Sequence, residues 1–131
     1  MAAATIKKIQ AHCTSLPEVI GSRKWETDFV YTIFEKMFCV ASTTADGKNH
    51  LSFKVDDDLF LAMTERAGFA PAPYLARMKW VAVTDLPKIS QSEVNALITQ
   101  AYRLVVQRLP KYRQPALLAQ LSKLLPEDAL K

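Results

Sequence analysis

The chain has 131 residues, 50% hydrophobic and 23% charged. That usage excludes a disordered or collagen-like chain and suits one domain able to bury a core without staples. Seventeen Lys and Arg against 13 Asp and Glu give a net charge of +4, which permits an anionic partner without requiring one.

Residues 4–15 place Ile6, Ile9 and Cys13 at spacings of three and four, the pattern of an amphipathic helix that Pro17 stops. Residues 17–27 read as a loop carrying Arg23, Lys24 and Trp25. From 28 to 55 the period changes to two. Phe29, Tyr31 and Ile33 alternate with Val30, Thr32 and Phe34, and Glu35-Lys36 reads as a turn. The apolar run from Met37 to Ala41 suits a central strand covered on both faces. Gly47 supplies a turn, and Leu51, Phe53 and Val55 alternate with Ser52 and Lys54. Three short strands in succession predict an antiparallel meander.

Asp56, Asp57 and Asp58 open the next helix, where carboxylates cap free amides and oppose the dipole. Its predicted apolar stripe is Leu59, Phe60, Met63 and Ala67, and Gly68 ends it. A proline-stiffened loop over 68–77 leads into a strand from Met78 to Thr84. Ser90 with Glu93 fits a capping box for the longest helix, expected to run to about Leu109 before Pro110. Residues 111–131 hold Leu117, Leu118, Leu121, Leu124 and Leu125, a second amphipathic helix forming a C-terminal extension. The order α-β-β-β-α-β(-β)-α-α predicts an α+β two-layer sandwich, an antiparallel β-meander sheet covered by helices, within a single domain over 1–131.

The motifs that would name a reaction do not occur. There is no CxxC, HExxH, GxGxxG, GxxxxGK[ST] or GxSxG, and the two histidines, His12 and His50, fall in different elements. Cys13 and Cys39 read as two small buried hydrophobes in a reducing compartment. The first residues lack a signal-peptide pattern, and no apolar run approaches a membrane span. A cytoplasmic, noncatalytic protein without cofactor or metal is the expectation.

Several local patterns, taken in order over residues 10–113, resemble the MmcQ/YjbR-like family. They are Ser15-Leu-Pro-Glu18, then Trp25 where the family places an aromatic, then Glu35-Lys-Met-Phe38 where the family reads Gly-Lys-Met-Phe. Leu51-Ser-Phe-Lys-Val-Asp56, a Pro-rich loop into Lys79-Trp80, and Val106-Gln-Arg-Leu-Pro-Lys111 complete the set. The family's His, Asn and Lys before its tryptophan are Tyr74, Ala76 and Arg77 here, and the resemblance fades beyond Arg113. It implies a two-layer fold similar to type III secretion chaperones and to a double-wing DNA-binding arrangement. It implies no specific activity.

Three surfaces follow as candidates. Arg23, Lys24, Lys36, Lys54, Arg77 and Lys79 could form a basic face that binds DNA through its phosphates; scattered solvated charges are the alternative. Lys54, Tyr74, Arg77 and Trp80 could line a pocket for a small anion, with Lys36, at a hairpin tip, expected far from Lys54. The simpler arrangement pairs Lys54 with Asp56–Asp58 and Arg77 with Asp85, and puts Trp80 in the core. Leu117, Leu121 and Leu124 could present a stripe to a partner protein or a second copy; packing on the chain's own core is the commoner outcome.

Overall fold

A computed structural model describes residues 3–24, 28–43, 49–72 and 75–124, with the backbone alone for Arg23, Lys24, Asp28 and Leu124. Trp25, Gly47, Tyr74 and Leu125 lie outside the described residues.

Thr5 caps the first helix, its hydroxyl accepting the Lys8 amide at 3.3 Å. This helix, α1 (Ile6–Ser15), buries Ile6, Ile9 and Cys13 as its spacing predicts. Four strands follow: β1 (Val19–Lys24), β2 (Asp28–Ile33), β3 (Lys36–Thr43) and β4 (Asn49–Lys54). Then come α2 (Asp57–Glu65), β5 (Phe69–Pro71), a 3-10 turn at Ala76–Met78 and β6 (Trp80–Val83). Two helices, α3 (Gln91–Val106) and α4 (Gln114–Leu124), end the described chain. The strands make one open six-stranded sheet in the order β1-β2-β3-β4-β6-β5, with antiparallel neighbours throughout. This is the expected α+β sandwich, with β1 added to the expected order and β5 lying inside the segment read as a proline-stiffened loop.

The added strand is β1, which occupies most of the 17–27 segment read as a loop. Its sequence, Val-Ile-Gly-Ser-Arg-Lys, has no alternation, so it is recruited by pairing along all of β2, from Val19↔Ile33 to Lys24↔Asp28. Gly21 makes the approach possible. A Cβ there would meet ring carbons of Phe29 and Tyr31 at 2.7 Å.

Between β2 and β3 only Phe34 and Glu35 are unpaired, at φ 45° and 70°. Two consecutive positive φ values are what a type I′ hairpin turn requires, and side chains other than Gly, Asn or Asp resist them. Glu35→Gly is therefore expected to raise stability by about 0.5–1 kcal/mol. Urea denaturation checks this; a midpoint that stays put or falls refutes the strain.

The β2–β3 register then slips between Tyr31↔Cys39 and Thr32↔Met37, leaving Phe38 as an extra residue. The bulge explains the unbroken apolar run. Phe38 and Cys39 are adjacent, yet both enter the same core cluster, which strict alternation forbids. That cluster fills the helical side of the sheet with Tyr31, Ile33, Phe53 and Val81 from the strands. Ile9, Ile98, Tyr102 and Leu121 face them from the helices. A smaller cluster on the opposite face joins Val30, Val40, Ala72 and Trp80.

Long-range polar contacts fasten the helices. Tyr102 donates its hydroxyl to the Pro17 carbonyl at 2.7 Å, and His12 Nε2 meets Thr99 Oγ1 at 2.8 Å. Cys13 and Cys39 are both free and buried between α1 and β3, and burial pushes the Cys39 thiol up.

Two helix expectations need correcting. The Ser90 hydroxyl caps α3 at the Glu93 amide, but the Glu93 carboxylate does not return the bond. It forms a bidentate pair with Arg66 at 2.7 and 2.8 Å, tying the end of α2 to the start of α3. In α2 Met63 is buried and Phe60 partly so, while Leu59 is exposed, as is Ala67 beyond the helix end. This helix rests on the β5–β6 side of the sheet by a narrow seam, so its expected stripe is mostly wet.

Candidate nucleic-acid interface

Strand direction sorts the six candidate cations. Lys36 begins β3, Lys54 ends β4, and Arg77 and Lys79 directly precede β6, which starts opposite Lys54. These four share one end of the sheet. Arg23 and Lys24 close β1 at the other end, where Lys24 stands opposite Asp28 in the strand register. A six-residue strand spans about 20 Å, so the two groups stand at opposite ends of the sheet. The expectation that Lys36 lies far from Lys54 is also corrected. Register sets them at the same end of neighbouring strands.

Lys54 is the least available of the four, at 6% exposure. Its ammonium donates to the Met78 carbonyl at 2.7 Å, fastening the end of β4 to the 76–78 turn. Burial holds its pKa below the ordinary lysine value. Arg108 pushes the same way, Asp57 and Asp56 oppose, and Lys79 adds to the lowering. Among the described residues the ion pairs are Arg66–Glu93 and Lys88–Asp85, so neither Lys54 nor Arg77 makes the pair expected of it. Asp85 is held by Lys88 at 3.5 Å, and Arg77 is exposed. Lys79 takes a left-handed φ of 63° and lays its ammonium 5.1 Å from the Phe60 ring centre.

Of the four residues drawn for a small-anion pocket, Tyr74 lies outside the described residues and Arg77 is exposed. Lys54 and Trp80 are cross-strand partners, but Trp80 is 4% exposed and closed into the smaller cluster. Its place in the core is as expected. The cleft that Lys54 does line, about 470 Å³, lies towards Asp56, Asp57, Asp58, Gln107 and Arg108. Three carboxylates beside two cations make a mixed rim that disfavours an anion.

Leu117 and Leu121 are buried in the chain's own core cluster, and the Leu124 side chain lies outside the described residues. The stripe proposed for a partner is thus largely covered by the chain itself.

The structure adds residues that the sequence reading passed over. Between α3 and α4 a tight turn carries Lys111, Tyr112 and Arg113. The Arg113 amide donates to the Pro110 carbonyl at 2.9 Å, and the Gln114 side-chain amide caps the end of α3 at Leu109 O, 2.9 Å, and Gln107 O, 3.3 Å. The Arg113 guanidinium lies 4.2 Å from the centre of the Phe34 ring and 5.3 Å from that of Tyr112. Phe34 sits at the β2–β3 hairpin tip, so this turn joins the same end of the sheet as Lys36. The available signal was Lys-Tyr-Arg framed by Pro110 and Pro115: two cations around an aromatic on a stiffened segment. Among the described residues no group of His, Cys, Asp and Glu could hold a metal ion. Nor is any of their helices long and apolar enough to cross a membrane.

An open antiparallel sheet with helices on one face defines the α+β class of the fold. The chain belongs to the YjbR family, whose model matches residues 14–104, the same family that its local patterns resemble. A Deinococcus radiodurans protein with a DUF419 domain is similar in structure, with a TM-score of 0.74 at 22% identity over 86% of this chain and 87% of that one. A Pseudomonas syringae protein is similar with a TM-score of 0.65 at 16% identity, over 77% of this chain and 98% of its own. At these identities the likeness is one of fold. No curated protein matches the chain.

Proposed function

We propose that this chain is a noncatalytic binding module that holds DNA by its phosphates at the Lys36 end of the sheet. The observation that supports it is a single one. Lys36, Arg77 and Lys79 share that end with Lys111 and Arg113. Such groups bind a polyanion by releasing its counterions and read no base sequence. Lys54 serves as a fastener within this rim, and Asp56–Asp58 bound it on one side. Arg23 and Lys24, at the far end of β1, stand outside it.

Fluorescence anisotropy with labelled DNA across a salt series tests the reading. Binding should weaken steeply with salt, and reversing Lys36, Lys111 or Arg113 to Glu should each lower the log–log slope by about 1. Reversal of Arg23 and Lys24 should leave affinity unchanged. Absence of binding even at low salt, or a loss confined to the Arg23/Lys24 variant, overturns the assignment.

A further inference from the structure

Tyr112 is 77% exposed, an unusual position for a large ring that serves no core. It is not on a loose segment. Pro110 precedes it, the Arg113 amide closes the turn, and Gln114 holds the carbonyls behind it. Arg113 is anchored in turn over the Phe34 ring, 4.2 Å from its centre, with the Tyr112 ring centre 5.3 Å away. A guanidinium stacked on a ring keeps its in-plane N–H donors free, in a fork that matches phosphate oxygens. Lys111 on one side and Lys36 beside Phe34 supply further exposed cations.

A solvent-facing ring on a fastened turn, set among cations, has a definite complement. In a duplex the base faces are occupied by their neighbours and are closed to such a ring. In a single strand each base offers a face, and an aromatic side chain can take it without regard to sequence. We infer that Tyr112 is a stacking platform for an unpaired base, with Arg113, Lys111 and Lys36 holding the flanking phosphates, so that the site takes single-stranded nucleic acid in preference to duplex. This inference rests on the proposed phosphate-binding rim and names its substrate class.

The test compares a labelled oligothymidine with a duplex of the same length, on the full chain and on two variants. Tyr112→Ala is expected to weaken single-strand binding roughly 5- to 150-fold and leave duplex binding unchanged. Tyr112→Phe, which keeps the ring, should bind the single strand as the parent does. Thermal midpoints of both variants should match the parent, because the ring is exposed. Equal affinity for the two forms, no effect of Tyr112→Ala, or a Phe variant as weak as the Ala one each overturns the stacking platform while leaving the phosphate-binding rim intact. Failure of both oligonucleotides to bind at low salt overturns the rim itself, and the platform with it.

Discussion

Phe38→Ala is expected to lower the free energy of unfolding by about 3–5 kcal/mol, a large part of the 5–15 kcal/mol typical of a domain. The ring is fully buried at the centre of the sheet. It meets Tyr102 edge-on, with centroids 5.6 Å apart and planes at 89°. Truncation therefore removes the transfer energy, opens a cavity beneath α3 and breaks an aromatic pair worth about 1 kcal/mol beyond its area. The bulge adds a reason that the site collapses poorly. Phe38 has no cross-strand partner on β2 to move into the vacated space. Equilibrium denaturation in urea measures the loss. A change below about 1 kcal/mol would mean that the bulge does not hold Phe38 in the core.

Leu121→Ala is the second large effect, at about 2–5 kcal/mol. Leu121 is fully buried, and with Leu117 it carries α4 onto the same cluster that α3 and the sheet build. The helix lies beyond the 14–104 match to the family model, so this residue asks whether α4 is part of the fold or an appendage. Stability should fall while the sedimentation coefficient stays constant. The reverse result, an unchanged unfolding midpoint with a shifted sedimentation coefficient, would return Leu121 to the role of a partner-facing stripe.

What could be read beforehand divides along physical lines. The helices that cover the sheet were legible because their buried residues recur at helical spacing, as in Ile6, Ile9 and Cys13 or Val94, Ile98, Ala101 and Val105. Caps at Asp56 and Ser90 were legible because the chemistry is local. β1 was not, since Gly21, Ser22, Arg23 and Lys24 have no preference for a strand and are ordered by β2. The wet face of α2 was not, because burial there depends on which sheet edge it meets.

The candidate site follows the same division. Residue types announced a set of cations, but register alone separates Arg23 and Lys24 from Lys36, and it alone brings Lys36 to the end where Lys54 lies. Burial then withdraws Lys54 and Trp80 from the surface, through a carbonyl bond and a second small cluster that no periodicity encodes. Arg113 gains its place only from Phe34, far away in the chain, a contact that no local pattern encodes.

The bond from Tyr102 to Pro17 closes a span of 85 residues. By contrast, the first four strands lie side by side in chain order, with only two to five residues between one strand and the next. Loop-closure entropy rises with span, and contacts of high sequence separation slow folding. The two layers therefore assemble on different terms. The meander can zip between neighbours in the chain, whereas α1 and α3 must find each other across most of the chain before the hydroxyl reaches its carbonyl.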